Sequence, residues 1–242
     1  MTFSEMPYQR PDLDALKSRY NALADRLRQA ADYAAAKEAF LEKETLEKHI
    51  STQETLCSIR HSIDTRDEFY NAEKKFWNAA GPEIETCRDA FTQAMLESAF
   101  RPDFEKEYGT LMFVNAELAR KAFSPEIVPE MQQENDLTQE YEKLLASAQI
   151  PFEGGVYTLS QLSPFKTDAD DARRLAAWQA EGRWYKEHQP EMDDIYDKLV
   201  HLRDAMGRKL GYDGYTTLGY YRMQRNCYTK EDVEKFRAAV VK

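Results

Sequence analysis

A chain of 242 residues is long enough to bury one large hydrophobic core or two small ones. Charged residues are plentiful while Gly and Pro number only nine each, a balance that favours helices over sheets and linkers. A formal net charge of -10 excludes the basic footprint that binding nucleic acid requires.

The chain opens Met1-Thr2-Phe3-Ser4-Glu5-Met6-Pro7-Tyr8, without the basic-then-apolar run of a secretory signal, and no later segment is apolar for long enough to span a bilayer. Both features point to a cytoplasmic protein with no membrane partner. Asp12 is placed to cap a first helix, in which Leu13, Leu16, Tyr20, Leu23 and Leu27 recur three and four apart. A second helix is expected from about Tyr33 to Ile63, carrying Phe40, Leu46, Ile50, Leu56 and Ile59 on one side and charges on the other. A third run, from about Arg66 to Ala99, holds Phe69, Phe76, Trp77, Ile84, Phe91 and Met95. Gly81-Pro82 in its middle is expected to kink or break it. Pro102 or Asp103 opens the next helix, with an interruption at Gly109, and Ser124-Pro125 starts another that passes Leu137, Tyr141, Leu144 and Leu145.

From Ile150 to Phe165 the texture changes. Two short extended pieces flank Gly154-Gly155, a β-hairpin signal, and so short a hairpin needs a helical layer beneath it. Asp168 or Asp170 then caps a helix through Leu175, Trp178 and Trp184 that is expected to end at Gln189-Pro190. From Glu191 a further helix carries Ile195, Leu199, Leu202, Met206 and Leu210 on one face, and Gly211 stops it. Asp213-Gly214 makes a turn, an aromatic helix follows with Tyr215, Leu218 and Tyr221, and Thr229 with Asp232 forms a capping box for a last helix reaching Lys242. The fold expected is mostly α: long antiparallel helices and helical hairpins with one small β-hairpin near 150–160. No internal repeat or flexible linker shows itself.

Candidate chemistry is sparse. Cys57, Cys87 and Cys227 form no CxxC pair, so they read as reduced, core-filling thiols. Of the four histidines, His49 and His61 fall on charged helices and read as solvated. His188 reads as a surface residue, and His201 has Asp197 and Asp204 at helical-neighbour spacing, as a surface charge pair would. The carboxylates Asp168, Asp170 and Asp171, and likewise Asp193, Asp194 and Asp197, read as helix-start residues set against the dipole rather than as a cation site. The run Tyr212, Tyr215, Tyr220, Tyr221, Arg222, Arg225 and Tyr228 stands out. Polar-tipped aromatics with arginines can line a peptide-binding wall, and Tyr221, Arg222 and Arg225 are the candidate substrate-channel residues.

Several stretches resemble the oligoendopeptidase F branch of the thimet-oligopeptidase-like zinc metallopeptidases. They are Phe100-Arg101-Pro102-Asp103-Phe104-Glu105 with the Leu111 to Ala122 segment, Gly154-Gly155-Val156-Tyr157-Thr158-Leu159-Ser160-Gln161-Leu162, the Asp168 to Arg174 run, and Tyr196 to Tyr228. The likeness is densest from Asp193 onward, in Lys209-Leu210-Gly211-Tyr212-Asp213-Gly214-Tyr215 and Tyr221-Arg222-Met223. That resemblance implies an enzyme that hydrolyses short peptides in a helical channel, with zinc held by a His-Glu-x-x-His helix and a later glutamate. No His-Glu pair occurs in this chain, so it assigns no catalytic residue and no metal ligand here, and no cofactor is expected in this chain. It further implies an N-terminal portion of a longer enzyme, inactive alone. Residues 1–165 would form an accessory helical lobe ending in the hairpin, and residues 166–242 the start of the peptidase domain before the zinc motif. The partners would be peptide substrates and the missing C-terminal catalytic portion, with self-association through exposed apolar surface. The alternative is a freestanding helical binding or scaffold module, and the reading frame beyond Lys242 separates the two.

Overall fold

The computed structural model describes residues 2–241, so Lys242, the expected end of the last helix, lies outside the described residues. Ten α-helices, three short 3-10 helices and one two-stranded sheet account for the regular structure among them. Two compact units divide the chain: one gathers the residues up to Gln132 with those from Asp204 onward, and the other is Gln133–Arg203.

The first unit is built on α1 (Leu13–Arg28), α2 (Tyr33–Ile63) and α3 (Glu68–Leu96), with α1 packed against both of the others. An aspartate caps each start: Asp12, Asp32 and Asp67 accept from the amides of Ala15, Ala35 and Tyr70 at 3.0, 2.9 and 2.9 Å. Leu16, Tyr20, Leu23 and Leu27 of α1 meet Phe40, Leu46 and Ile50 of α2 and Trp77, Ile84 and Phe91 of α3. Two further helices, α4 (Arg101–Tyr108) and α5 (Leu111–Lys121), add Phe104 and Phe113, both fully buried. Gly109, at φ +85, ends α4 where the sequence places its interruption.

Helix α3 is not broken at Pro82. The lost hydrogen bond and ring clash cost about 3 kcal/mol. Trp77, Ala80, Ile84, Cys87 and Phe91 on either side are all buried, and each large apolar side chain contributes about 1.5–3 kcal/mol. The packed face outweighs the local defect.

Polar groups tie the segment before α1 to this body. The Tyr8 hydroxyl donates to Glu73 at 2.6 Å, and Arg10 reaches both Glu73 oxygens, at 3.0 and 2.5 Å. Trp77 Nε1 donates to the Tyr8 oxygen at 3.0 Å, and the Gln9 amide to Gln53 at 2.7 Å. Hydrogen bonds from Arg10 hold the Glu73 carboxyl below the usual carboxylate range, against the opposing effect of burial. A second pair, Glu47–Arg88, sits half-buried between α2 and α3. Burial pushes the Glu47 carboxyl up, but the hydrogen bonds and charge of Arg88 outweigh it and keep it low. Two expectations fail in this unit. His61 is buried, its Nε2 3.3 Å from Asn71 Oδ1, because α3 folds back over the end of α2. Cys227 is exposed, while Cys57 and Cys87 are buried and burial lifts the Cys57 thiol to about 11.

The second unit contains most of α6 (Val128–Ala146), the hairpin β1 (Ile150–Phe152) and β2 (Gly155–Tyr157), the short α7 (Leu159–Leu162), and α8 (Asp171–Lys209) as far as Arg203. The strands pair Ile150 with Tyr157 and Phe152 with Gly155. The two-residue turn is Glu153-Gly154, both at positive φ, so the glycine pair straddles the turn's end instead of forming it. Ile150 and Phe152 pack with Leu162 on Ala177, Ala180 and Trp184 of α8, which is the helical layer so short a sheet needs. Asp170 caps α8 by accepting from Ala172 N at 2.9 Å.

Pro190 does not divide α8, which runs on to Lys209. Lys186, whose carbonyl loses its helical donor there, is an exposed residue, so water can take the donor's place. Asp193, Asp194 and Asp197 therefore lie in mid-helix and not at a helix start, unlike Asp168, Asp170 and Asp171.

Replacing Glu73 by Gln removes the charge that Arg10 and Tyr8 converge on and is expected to cost about 2 kcal/mol near neutral pH. Because the folded carboxyl sits below its ordinary 4.5, its contribution is complete above about that pH and disappears as pH falls through the lower folded value. Urea melts from pH 7 to pH 3 should show a steeper acid decline for the wild-type chain than for Glu73→Gln. Equal slopes would remove Glu73 from the acid response.

Candidate substrate-facing site

The Tyr/Arg run is positioned by the way α8 ends. Gly211 (φ +83) turns the chain out of the helix, with the Gly211 and Tyr212 amides bonding back to the carbonyls of Arg208 and Gly207 at 2.9 and 3.0 Å. A side chain on Gly207 would overlap the backbone carbonyl of Gly214, so a bare backbone is what lets the turn lie against the helix. Helix α9 (Tyr215–Arg222) follows and buries Leu218 beside Met206 of α8 and Ile127. Its far end closes in the same way: Gln224 takes φ +50, and the amides of Gln224 and Arg225 bond to Tyr221 and Tyr220 carbonyls at 2.9 and 3.2 Å.

The three candidates have separate surroundings, and each is half-buried. Tyr221 packs its ring against Tyr212 at 5.6 Å, with the Lys121 ammonium 5.5 Å over it, and the Tyr212 hydroxyl donates to the Lys121 carbonyl at 2.7 Å. Arg222 extends toward α8, its Nη2 3.8 Å from the Met206 sulfur. Arg225 lies over Tyr220 at 4.2 Å and Tyr228 at 5.5 Å. Both rings lie within cation–π range of that guanidinium, and among the described residues no carboxylate pairs with it. Of the three, Arg225 has the arrangement that suits an incoming carboxylate or carbonyl. Asn226 donates to Asn115 at 2.7 Å, fixing the following residue to α5.

The remaining sequence candidates stay apart. His188 stacks on Trp184 at 4.4 Å, half-buried, and its Nδ1 lies 2.9 Å from the Trp184 carbonyl. His201 Nδ1 sits 3.5 Å from Asp197 with both side chains largely exposed, and Asp204 pairs instead with Arg208. Among the described residues no group of three or more His, Cys, Asp and Glu side chains could hold a metal ion, so the residues of this chain do not fit a zinc site. No described helix is long and apolar enough to cross a membrane. One feature escaped the sequence altogether. A cleft of about 460 Å³ in the second unit is lined by Gln133, Asp136, Leu137 and Glu140 of α6 and by Lys198, His201 and Leu202 of α8. Helical spacing put each set on one face but could not pair the two helices.

The model of the Peptidase M3 N-terminal domain matches residues 3–123, half of the chain. Three solved structures superpose on 99% of it: an oligoendopeptidase F (40% identity, TM-score 0.96), PZ peptidase A with an inhibitor (39%, 0.95), and an oligoendopeptidase F from Bacillus anthracis strain Ames (35%, 0.95). The chain spans only 42%, 42% and 44% of those chains, respectively. No curated protein matches it. The family model, together with near-complete superposition on oligoendopeptidase F structures, shows that the chain belongs to the peptidase M3 family and carries its N-terminal domain.

Proposed function

We propose that this chain is the N-terminal, non-catalytic portion of a zinc-dependent oligoendopeptidase that hydrolyses short peptides in the cytoplasm. The observation that carries the reading is the likeness to oligoendopeptidase F structures along 99% of this chain, which accounts for only 42% of the first of them. Residues 1–165 serve as an accessory helical lobe and residues 166–242 as the opening of the peptidase domain. The lobe walls the substrate channel and admits only narrow, unfolded chains. Zinc, supplied by ligands outside this chain, provides the means of activating water. The residues present here orient the substrate: Arg225, packed near the Tyr220 ring, donates to a peptide carbonyl or terminal carboxylate, with Tyr221 and Arg222 close to it in the chain. The exposed Phe236 and Val240 on α10 (Lys230–Val240) offer apolar surface through which the lobe meets its catalytic partner, or another copy when alone.

Reading the frame beyond Lys242 tests the proposal at its root. A His-Glu-x-x-His motif downstream supports it, and a native stop codon leaves only the freestanding module. The 242-residue chain by itself is expected to hold no stoichiometric zinc and to leave short peptides uncut, as metal analysis and a mass-spectrometric cleavage assay would show. In the continuous enzyme Arg225→Ala should raise KM about tenfold, the loss of one charge-assisted hydrogen bond. An unchanged KM and kcat in both Arg222→Ala and Arg225→Ala would clear these residues of any role at the substrate.

A further inference from the structure

The segment ahead of α1 crosses the first unit without entering its core. No residue from Thr2 to Asp12 is buried, and Tyr8 is only half-buried. What lies beneath it is buried: Gln53 and Cys57 of α2, 7 and 0% exposed, and Glu73 and Trp77 of α3, each 4% exposed. A spacing of four residues puts each pair on one face of its helix. The Gln9 amide bonds to Gln53 on the first face, and Tyr8 meets Glu73 and Trp77 on the second. Tyr8 and Glu73 are both close enough to act on the Cys57 thiol, so the thiol sits where the segment crosses.

A segment that buries so little apolar surface is held mainly by polar contacts, and here these converge. Glu73 accepts from the Tyr8 hydroxyl and from two Arg10 nitrogens, at 2.6, 3.0 and 2.5 Å, with the Arg10 guanidinium 4.7 Å over the Phe76 ring. The Gln9 amide and the Trp77 indole add one neutral hydrogen bond each. Arg60 is a separate anchor farther up, gripping the Phe3 and Met6 carbonyls at 3.2 and 2.6 Å. Hydrogen bonds to an ionised group are roughly twice as strong as neutral ones, so one carboxylate carries most of the hold on Tyr8–Arg10. The helices below have their own support, since Leu16, Tyr20, Leu23 and Leu27 of α1 belong to the core shared with α2 and α3.

We infer that Tyr8–Arg10 is a strap pinned by Glu73, which opens and closes over Cys57 while α1, α2 and α3 stay folded. Segments with few buried apolar contacts open locally, well below the free energy of global unfolding. Closed, the strap keeps reagents from the thiol; open, it admits them. Access to Cys57 is thus set by one ion pair, and every contact in the argument lies within the first unit.

The test reads alkylation by iodoacetamide in the 242-residue chain carrying Cys227→Ser, with digestion and mass spectrometry resolving Cys57 from Cys87. Cys87, buried elsewhere in the same core beside Lys17, Glu83 and Arg88, reports opening of the helices themselves. Over the first ~1 M urea, below the unfolding transition, Cys57 labelling should change less than about twofold while Cys87 labelling rises about tenfold. Glu73→Gln should speed Cys57 labelling about thirtyfold and Arg10→Met about tenfold, each keeping the shallow urea dependence. These variants change the charge near the thiol in opposite senses, so acceleration by both reads opening and not thiol reactivity. The Arg10 side chain is 47% exposed, so Arg10→Met leaves the core intact and keeps the test decisive if Glu73→Gln fails to fold. Amide exchange at Gln9 should quicken in step with labelling, which ties exposure of the thiol to the strap. Equal rates and equal urea slopes at Cys57 and Cys87 would overturn the proposal. So would Cys57 labelling that neither variant moves, or labelling that quickens while Gln9 exchange does not.

Discussion

The burial of α1 against α2 and α3 is the constraint on which the first unit depends. Tyr20 and Leu23 of α1 are almost wholly buried, and their contacts reach both neighbours at once, so neither long helix has a complete apolar partner without the short one. This packing keeps α3 helical through Pro82, and it holds α2 and α3 close enough for Glu47 and Arg88 to pair half-buried between them. Phe104 and Phe113 then seat α4 and α5 on the same core. From there the Lys121 carbonyl and Asn115 provide the hydrogen bonds that fix Tyr212 and Asn226 around α9. The candidate residues are thus held by a chain of contacts that begins well away from them.

Much of this was legible in the sequence, because helix boundaries are set locally. Asp12, the Pro125 start, Gly109, Gly211 and the Thr229 capping box all act within a turn of where they sit, and each marks a boundary where the chain folds. What was illegible depends on neighbours distant in the chain. Pro82 and Pro190 are helix breakers by local rule. One is overruled by the buried side chains around it, the other by an exposed carbonyl that water can serve. His61 looks solvated until α3 returns across the end of α2. The segment from Tyr8 to Arg10 has no periodicity at all, yet it is held by Glu73, whose partners lie more than sixty residues back in the chain.

The candidate site divides along the same line. Composition singled out the Tyr/Arg run, but only the fold separates its members: Arg222 is directed toward Met206, while Arg225 lies near the Tyr220 and Tyr228 rings and pairs with no described carboxylate. The ring contacts matter energetically because a guanidinium already held against aromatic neighbours loses less freedom when it takes a ligand. Gly207 supplies the geometry. Without a bare backbone there, the turn carrying Gly214 could not lie against α8, and Leu218 could not reach the Met206–Ile127 pocket that anchors α9.

The absence of a zinc-binding cluster among the described residues and the presence of exposed aromatic and acidic surface bear on the same question from opposite sides. Holding a metal requires three or more ligands converging within a few ångströms, and three of the four histidines have local partners instead: His61 lies by Asn71, His188 by a helix carbonyl and His201 by a neighbouring aspartate. Exposed surface makes no such demand, because a long helix sets aromatic and acidic side chains along its length by its period alone. The same period spaces titratable groups out on separate faces as readily as it repeats them, so a chain rich in carboxylates gathers no metal-binding group among its described residues.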